Sequence, residues 1–133
     1  MIWDIIGQKI NTAGLGTFGE DMFVQAMPED VNQGVAMFAP LDGIRMDPHL
    51  PSFYKPTIKI IVRDSKIERG AAKAKQIMDL LTVTGEEVYE ANGERGKAVL
   101  KVFYPQALPI QFPRLDGNAI EWSINFQTAF HMI

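Results

Sequence analysis

From Ile120 to Gln127 apolar and polar side chains alternate without a break: Ile120, Trp122, Ile124 and Phe126 against Glu121, Ser123, Asn125 and Gln127. Successive side chains of a strand point to opposite faces, so this run demands a sheet with one buried face and one wet face. A slip of one residue would turn the tryptophan and phenylalanine into water. The chain must therefore build a sheet and also supply apolar cover for one side of it. The spacing predicts the strand over residues 119–130.

The cover is legible upstream. Ile67, Gly70, Ala71, Ala74, Ile77, Met78 and Leu81 recur at the helical period, with Lys66, Arg69, Lys73 and Lys75 largely off that stripe. The small residues Gly70, Ala71 and Ala74 let such a helix lie close to a sheet. Asp64 or Ser65 can cap it, and Thr84-Gly85 ends it. Before it, residues 57–63 are β-branched and apolar enough for a central strand. Ile2, Ile5, Ile6 and Ile10 mark one face of a short N-terminal helix, followed by glycine-rich residues 11–16. Residues 21–27 read as a strand with Met22, Val24 and Ala26 on one face, and residues 35–38 as another. Residues 87–91 and 97–104 flank an Asn92-Gly93 turn, a strong hairpin signal. In the second arm Val99, Lys101 and Phe103 are expected on one face, with Val102 and Tyr104 on the other. Residues 41–56, broken by Pro48, Pro51 and Pro56, are expected to form a long loop. Residues 105–113 form a proline-punctuated connection, and residues 115–118 a turn. The expected fold class is α+β: an antiparallel or mixed sheet, a long helix packed on one face and a short N-terminal helix, in one domain spanning residues 1–133.

Hydrophobic residues make up 47% and charged residues 22%, which suits a globular chain and not a disordered one. The net charge of −3 gives no average attraction to nucleic acid. With no cysteine, disulfides and thiolate metal sites are excluded. No signal peptide or membrane span is legible, so the expectation is a soluble, cytoplasmic protein with no membrane partner.

The chemistry-bearing patterns are thin. Gly14-Leu15-Gly16-Thr17-Phe18-Gly19 matches GxGxxG, but a dinucleotide site needs a strand before it and a helix after it. Here the order is reversed, and a helix-to-strand turn is the expectation. His49 and His131 are the only histidines, too far apart in sequence and too few for a zinc site. Ser52, Ser65 and Ser123 lack the context of a nucleophile. Glu29-Asp30 and Glu86-Glu87 sit beside turns, where carboxylates are commonly solvated. Lys66, Arg69 and Lys73 share one helix flank and could meet phosphates, against the plainer reading of a solvated face. No catalytic residue, metal site or cofactor is expected.

The residues 50–63, Leu-Pro-Ser-Phe-Tyr-Lys-Pro-Thr-Ile-Lys-Ile-Ile-Val-Arg, resemble the central strand of tail terminator proteins of long-tailed bacteriophages. A proline-containing approach leads into an apolar strand ending in arginine, and a helix with small residues follows, as in residues 71–81. Val102-Phe103-Tyr104-Pro105 resembles the strand that ends near proline. Trp122-Ser123-Ile124-Asn125-Phe126 resembles the aromatic closing strand, and Met27-Pro28 falls where a proline follows the first strand. Family members often carry a glycine- and proline-rich segment after the second strand, where this chain has Ala39-Pro40-Leu41-Asp42-Gly43.

The resemblance implies a structural virion protein, not an enzyme. It implies a homo-oligomeric ring, usually a hexamer, at the head-proximal end of the tail and assembled in the host cytoplasm. Such a ring ends polymerisation of the tail tube protein and meets the head–tail connector protein, while DNA passes through the lumen without specific binding. On that reading Arg45, His49, Phe53 and Tyr54 are the candidate partner-contact residues, and Lys66, Arg69 and Lys73 the candidate lumen-facing ones. The rivals are another head–tail joining or tail-tube component, and a small ligand-binding domain using residues 41–56 as a lid over Tyr54 and His49.

Overall fold

The computed structural model describes residues 2–112 and 119–133; the turn expected at 115–118 lies outside them. In chain order the elements are α1 (Trp3–Thr12), β1 (Met22–Val24), β2 (Gly34–Phe38), β3 (Phe53–Tyr54), β4 (Thr57–Asp64), α2 (Ile67–Leu81), β5 (Glu87–Tyr89), β6 (Ala98–Pro105), β7 (Ile110–Gln111) and β8 (Ile120–Met132). The strands form one mixed sheet in the order β1-β2-β4-β8-β6-β5. The fold is α+β, as the patterning requires.

β8 is the spine. Its alternating residues let both of its edges pair: β4 and then β3 run along one edge, β7 and then β6 along the other. Val62 faces Trp122, Ile60 faces Ile124 and Ile58 faces Phe126 across the β4–β8 ladder. With Leu100, Phe103 and Phe130 these make one apolar face, which α1 and α2 cover through Ile5, Ile6, Ile10, Ala74, Ile77 and Leu81. The Phe103 and Phe126 rings meet with centroids 4.8 Å apart. Each such side chain contributes about 2–3 kcal/mol by leaving water. Gly70 is the point of closest approach, since a β-carbon there would overlap the ring of Trp122. Ala71, by contrast, faces solvent, and Ile67 is half exposed in the first turn.

Several boundaries differ from the expectations, each for a local reason. β1 stops at Val24 because Gln25 takes φ 65°, a left-handed conformation held by its amide on Met37 O and by its side chain accepting from Ala39 N. Ala26 is therefore outside the strand. β1 runs parallel to β2, which makes the sheet mixed. Phe53 and Tyr54 leave the loop as a strand on β8. Ile110 and Gln111 do the same in the second connection. In β6 the register on β8 shifts between Leu100 and Val102, leaving Lys101 as a bulge. One extra residue reverses the parity, so Leu100 and Phe103 both reach the core while Val99 and Phe103 lie on opposite faces. α2 ends at Leu81, where Thr82 Oγ donates to Met78 O at 2.7 Å and the chain turns extended.

Candidate functional site

The second face of the sheet carries the odd residues of β8 and their partners: Arg63 beside Glu121, Ile61 beside Ser123, Lys59 beside Asn125, and Tyr104 beside Gln127. Both helices pack on the other side, so among the described residues no helix covers this face, although the small side chains Ala36 and Ser123 within it are buried. At one end Arg63 Nη1 donates to Pro28 O at 2.8 Å and to Val31 O at 3.0 Å, while its Nε donates to Glu121 at 3.0 Å. The guanidinium thereby fixes the β1–β2 crossover over the end of β4.

At the opposite end of β4 the long loop encloses an open concavity of about 490 Å³, lined by Ile44, Met46, Leu50, Phe53, Lys55 and Thr57 among others. Phe53 and Tyr54 anchor this loop rather than project from it. Tyr54 packs on Phe130 at 5.7 Å between centroids, and Phe53 meets the His131 ring at 6.5 Å. Ser52, at φ 66°, accepts from Met132 N at 2.8 Å. Arg45 and His49 are exposed, together with Leu41, Met46 (81% exposed) and Leu50, which the sequence reading did not single out. The signal that could have found them is large apolar side chains between prolines in a segment with no periodicity. Neither His49 nor Tyr54 lines the concavity.

Lys66, Arg69 and Lys73 fall on one flank of α2. They are not equivalent. Arg69 Nε and Nη2 donate to the two oxygens of Asp64 at 2.8 and 2.7 Å, and Asp64 is only 2% exposed. The Lys66 amide donates to Asp64 as well, at 2.9 Å. The N-cap position of α2 is Lys66, with no side-chain cap, so neither Asp64 nor Ser65 caps the helix; Asp64 instead holds the turn that leads into it. Burial pushes the Asp64 carboxyl up, but the Arg69 hydrogen bonds, the Lys66 amide and the Arg69 charge outweigh it and hold it below the usual carboxylate range. Asp64 in turn raises the Arg69 guanidinium. Lys66 and Lys73 make no ion pair among the described residues.

A second polar network joins α1 to the β5–β6 hairpin. The Arg95 side chain, 6% exposed, donates to both oxygens of Asp4 at 3.0 Å and to the carbonyls of Glu90 and Gly96. Lys9 donates to Glu87 at 2.7 Å, and the Tyr89 hydroxyl donates to the same carboxylate at 2.8 Å. Burial opposes ionisation of Asp4 and Glu87, but Arg95 with Asn92, and Lys9 with Tyr89, hold both carboxyls below their ordinary values. Burial and the Glu87 partner push the Tyr89 phenol up to about 12. These groups are saturated with one another, which is the arrangement of a structural clasp.

The GxGxxG segment is a turn between α1 and β1, with Asn11 Nδ2 donating to Gly16 O at 3.0 Å and Asp21 accepting from the Thr17 amide at 2.7 Å. Among the described residues, no three His, Asp or Glu side chains gather as a metal would require, and no helix is long and apolar enough to cross a membrane. Ser123 lies at the centre of the sheet, and among the described residues its Oγ reaches only Asn125, at 3.4 Å.

A mixed sheet with an open face, protruding apolar loops and polar groups engaged in ion pairs defines a module that works through surfaces. The family model for bacteriophage tail terminator proteins matches residues 9–131, and the chain belongs to that family. No curated protein sequence matches it significantly. The family is structural and non-enzymatic, so this is a viral structural protein of the virion tail, associated with the tail tube.

Proposed function

We propose that six copies of this chain close into a ring on the head-proximal end of the tail tube, stop its growth and join the tail to the head connector. DNA would pass through the lumen without specific contacts. The observation that carries this reading is the family match over residues 9–131, which takes in every strand and nearly the whole of the core. Subunits of a ring contact one another through two unlike surfaces, and the open sheet face and exposed loops supply apolar surface for such contacts. We assign the loop from Leu41 to Leu50, with Arg45 and His49, to the neighbouring ring or connector; Phe53 and Tyr54 are its anchors. The flank of α2 bearing Lys66 and Lys73, with Arg69 tied to Asp64, is assigned to the lumen.

The test is solution mass by light scattering after size exclusion, with negative-stain imaging, in the absence and presence of purified tail tubes. Closed rings, alone or on tube ends, are expected. Open-ended polymers would favour a tube protein, and a chain that stays monomeric and ignores tubes would end the reading. Replacing residues 42–49 by a short glycine-serine link leaves β3 in place and is expected to abolish tail attachment; attachment at the wild-type level would remove the loop from the interface.

A further inference from the structure

The two ends of the open face carry opposite charge. No lysine or arginine lies between Lys9 and Arg45, whereas Glu20, Asp21, Glu29 and Asp30 do, all in or beside the β1–β2 crossover; Asp42 lies at the other end, in the lining of the loop concavity. Glu29 and Asp30 are exposed at the tip of the β1–β2 crossover. Arg63 holds that crossover only by the carbonyls of Pro28 and Val31, spending its charge on Glu121. The turn is thus fixed in place while its two carboxylates make no ion pair among the described residues. At the other end Lys55, which lines the loop concavity, and Lys59, two residues beyond its Thr57, are exposed and likewise make no ion pair among the described residues. Each lies over an aromatic ring, Lys55 over Phe53 at 5.6 Å and Lys59 over Phe38 at 6.0 Å. The nearby Asp47 is turned back on the His49 amide at 2.9 Å. Lys55 and Arg63 are eight residues apart along the β4 direction, on the order of 25 Å.

A rigid acidic turn at one end of a face and, at the other, Lys55 and Lys59 beside a partly apolar hollow are complementary between copies placed head to tail. We infer that neighbouring subunits meet here, the Glu29–Asp30 turn of one copy seating against Lys55 and Lys59 of a second copy, beside the concavity lined by Met46 and Phe53. This rests on the ring reading and names its contact. Opposed charges at such a contact select the partner and its register, and placing like charges there is costly.

The experiment uses three variants of the full chain: Lys55→Glu with Lys59→Glu, Glu29→Lys with Asp30→Lys, and all four together. All four positions are exposed, so melting curves like that of the wild type are expected. Ring assembly, read by light scattering and imaging on tail tubes, should weaken at least roughly a hundredfold in each double variant. It should return in the fourfold variant and in an equal mixture of the two doubles. Rings from both doubles at wild-type concentration would overturn the inference and leave the ring reading standing. Doubles that form rings normally but no longer hold tubes would overturn it too, since the occupant would then be the tube protein. A folded fourfold variant that fails to recover would also overturn it. A wild-type chain that never forms rings, with or without tubes, would end the ring reading and this contact with it.

Discussion

Gly70 sets how closely α2 lies against the sheet, and Gly70→Ala tests that directly. An alanine in the interior of an exposed helix is worth about 1 kcal/mol over glycine. Here the added methyl would overlap Cζ3 and Cη2 of Trp122 and come within 3.0 Å of Asp64 Cβ. The indole cannot swing aside, being 3% exposed and flanked by β4 and β7. Overpacking of this kind costs about 1–3 kcal/mol, and a fixed ring puts it at the upper end. The expected net loss is about 1–2 kcal/mol. At roughly 3–5 °C per kcal/mol for a chain of this length, Tm should fall by about 3–10 °C. Thermal unfolding by circular dichroism or calorimetry reads this. Ala72→Gly, on the exposed side of the same helix, should also lose about 1 kcal/mol although it changes helix propensity the other way. Trp122→Phe should cost less in the Gly70→Ala background than alone, because the methyl then fills part of the space the indole leaves. A Gly70→Ala protein that melts at or above the wild-type temperature refutes the close-approach argument.

Asp4, Asp64 and Glu87 have carboxyls held below their ordinary values, so their contribution is complete above the unfolded value near 4 and is lost as pH falls through the folded values. Tm should be flat from pH 7 to 5 and drop steeply below 4, less so in Asp64→Asn; a profile flat to pH 2.5 would contradict the ion-pair geometry. Tyr89, raised to about 12, stabilises below pH 10 and loses that contribution as pH rises from 10 to 12. Ultraviolet titration should show a late phenol that is absent in Tyr89→Phe. Arg95→Ala removes a buried guanidinium bound to Asp4 and two carbonyls; because Asp4 is partly exposed, the loss should be about 2–3 kcal/mol, short of the fully buried case, measured by urea denaturation. Asp4→Ala and Arg95→Ala should be strongly non-additive in a double-mutant cycle.

The elements whose pattern is set by burial were readable: the alternation of β8, the helical period of α2 and the isoleucine face of α1 each follow from one local period. What stayed hidden depends on partners distant in sequence. Phe53 and Tyr54 become a strand only because β8 offers its edge at His131 and Phe130. Lys101 is a bulge only because β6 must stay in register on β8 at both ends. Gln25 adopts positive φ to satisfy Met37 and Ala39, and nothing within residues 21–27 announces that. At the candidate surfaces, Arg69 belongs with Lys66 and Lys73 by spacing, but its tie to the buried Asp64 depends on where β4 ends and α2 begins. The apolar exposure of Leu41 and Met46 depends on what the loop leaves uncovered, a tertiary property that composition does not carry.

The position of β8 in the chain has a consequence for synthesis. It follows every other strand in sequence, yet it separates β4 from β6 and pairs with four partners. Until it leaves the ribosome, the β1-β2-β4 and β5-β6 pieces have open edges and α2 has half a sheet to cover. Such edges invite pairing with the wrong chain, so the nascent chain is most vulnerable to aggregation just before residues 120–132 emerge. The surfaces of the folded sheet then come into being in one late step.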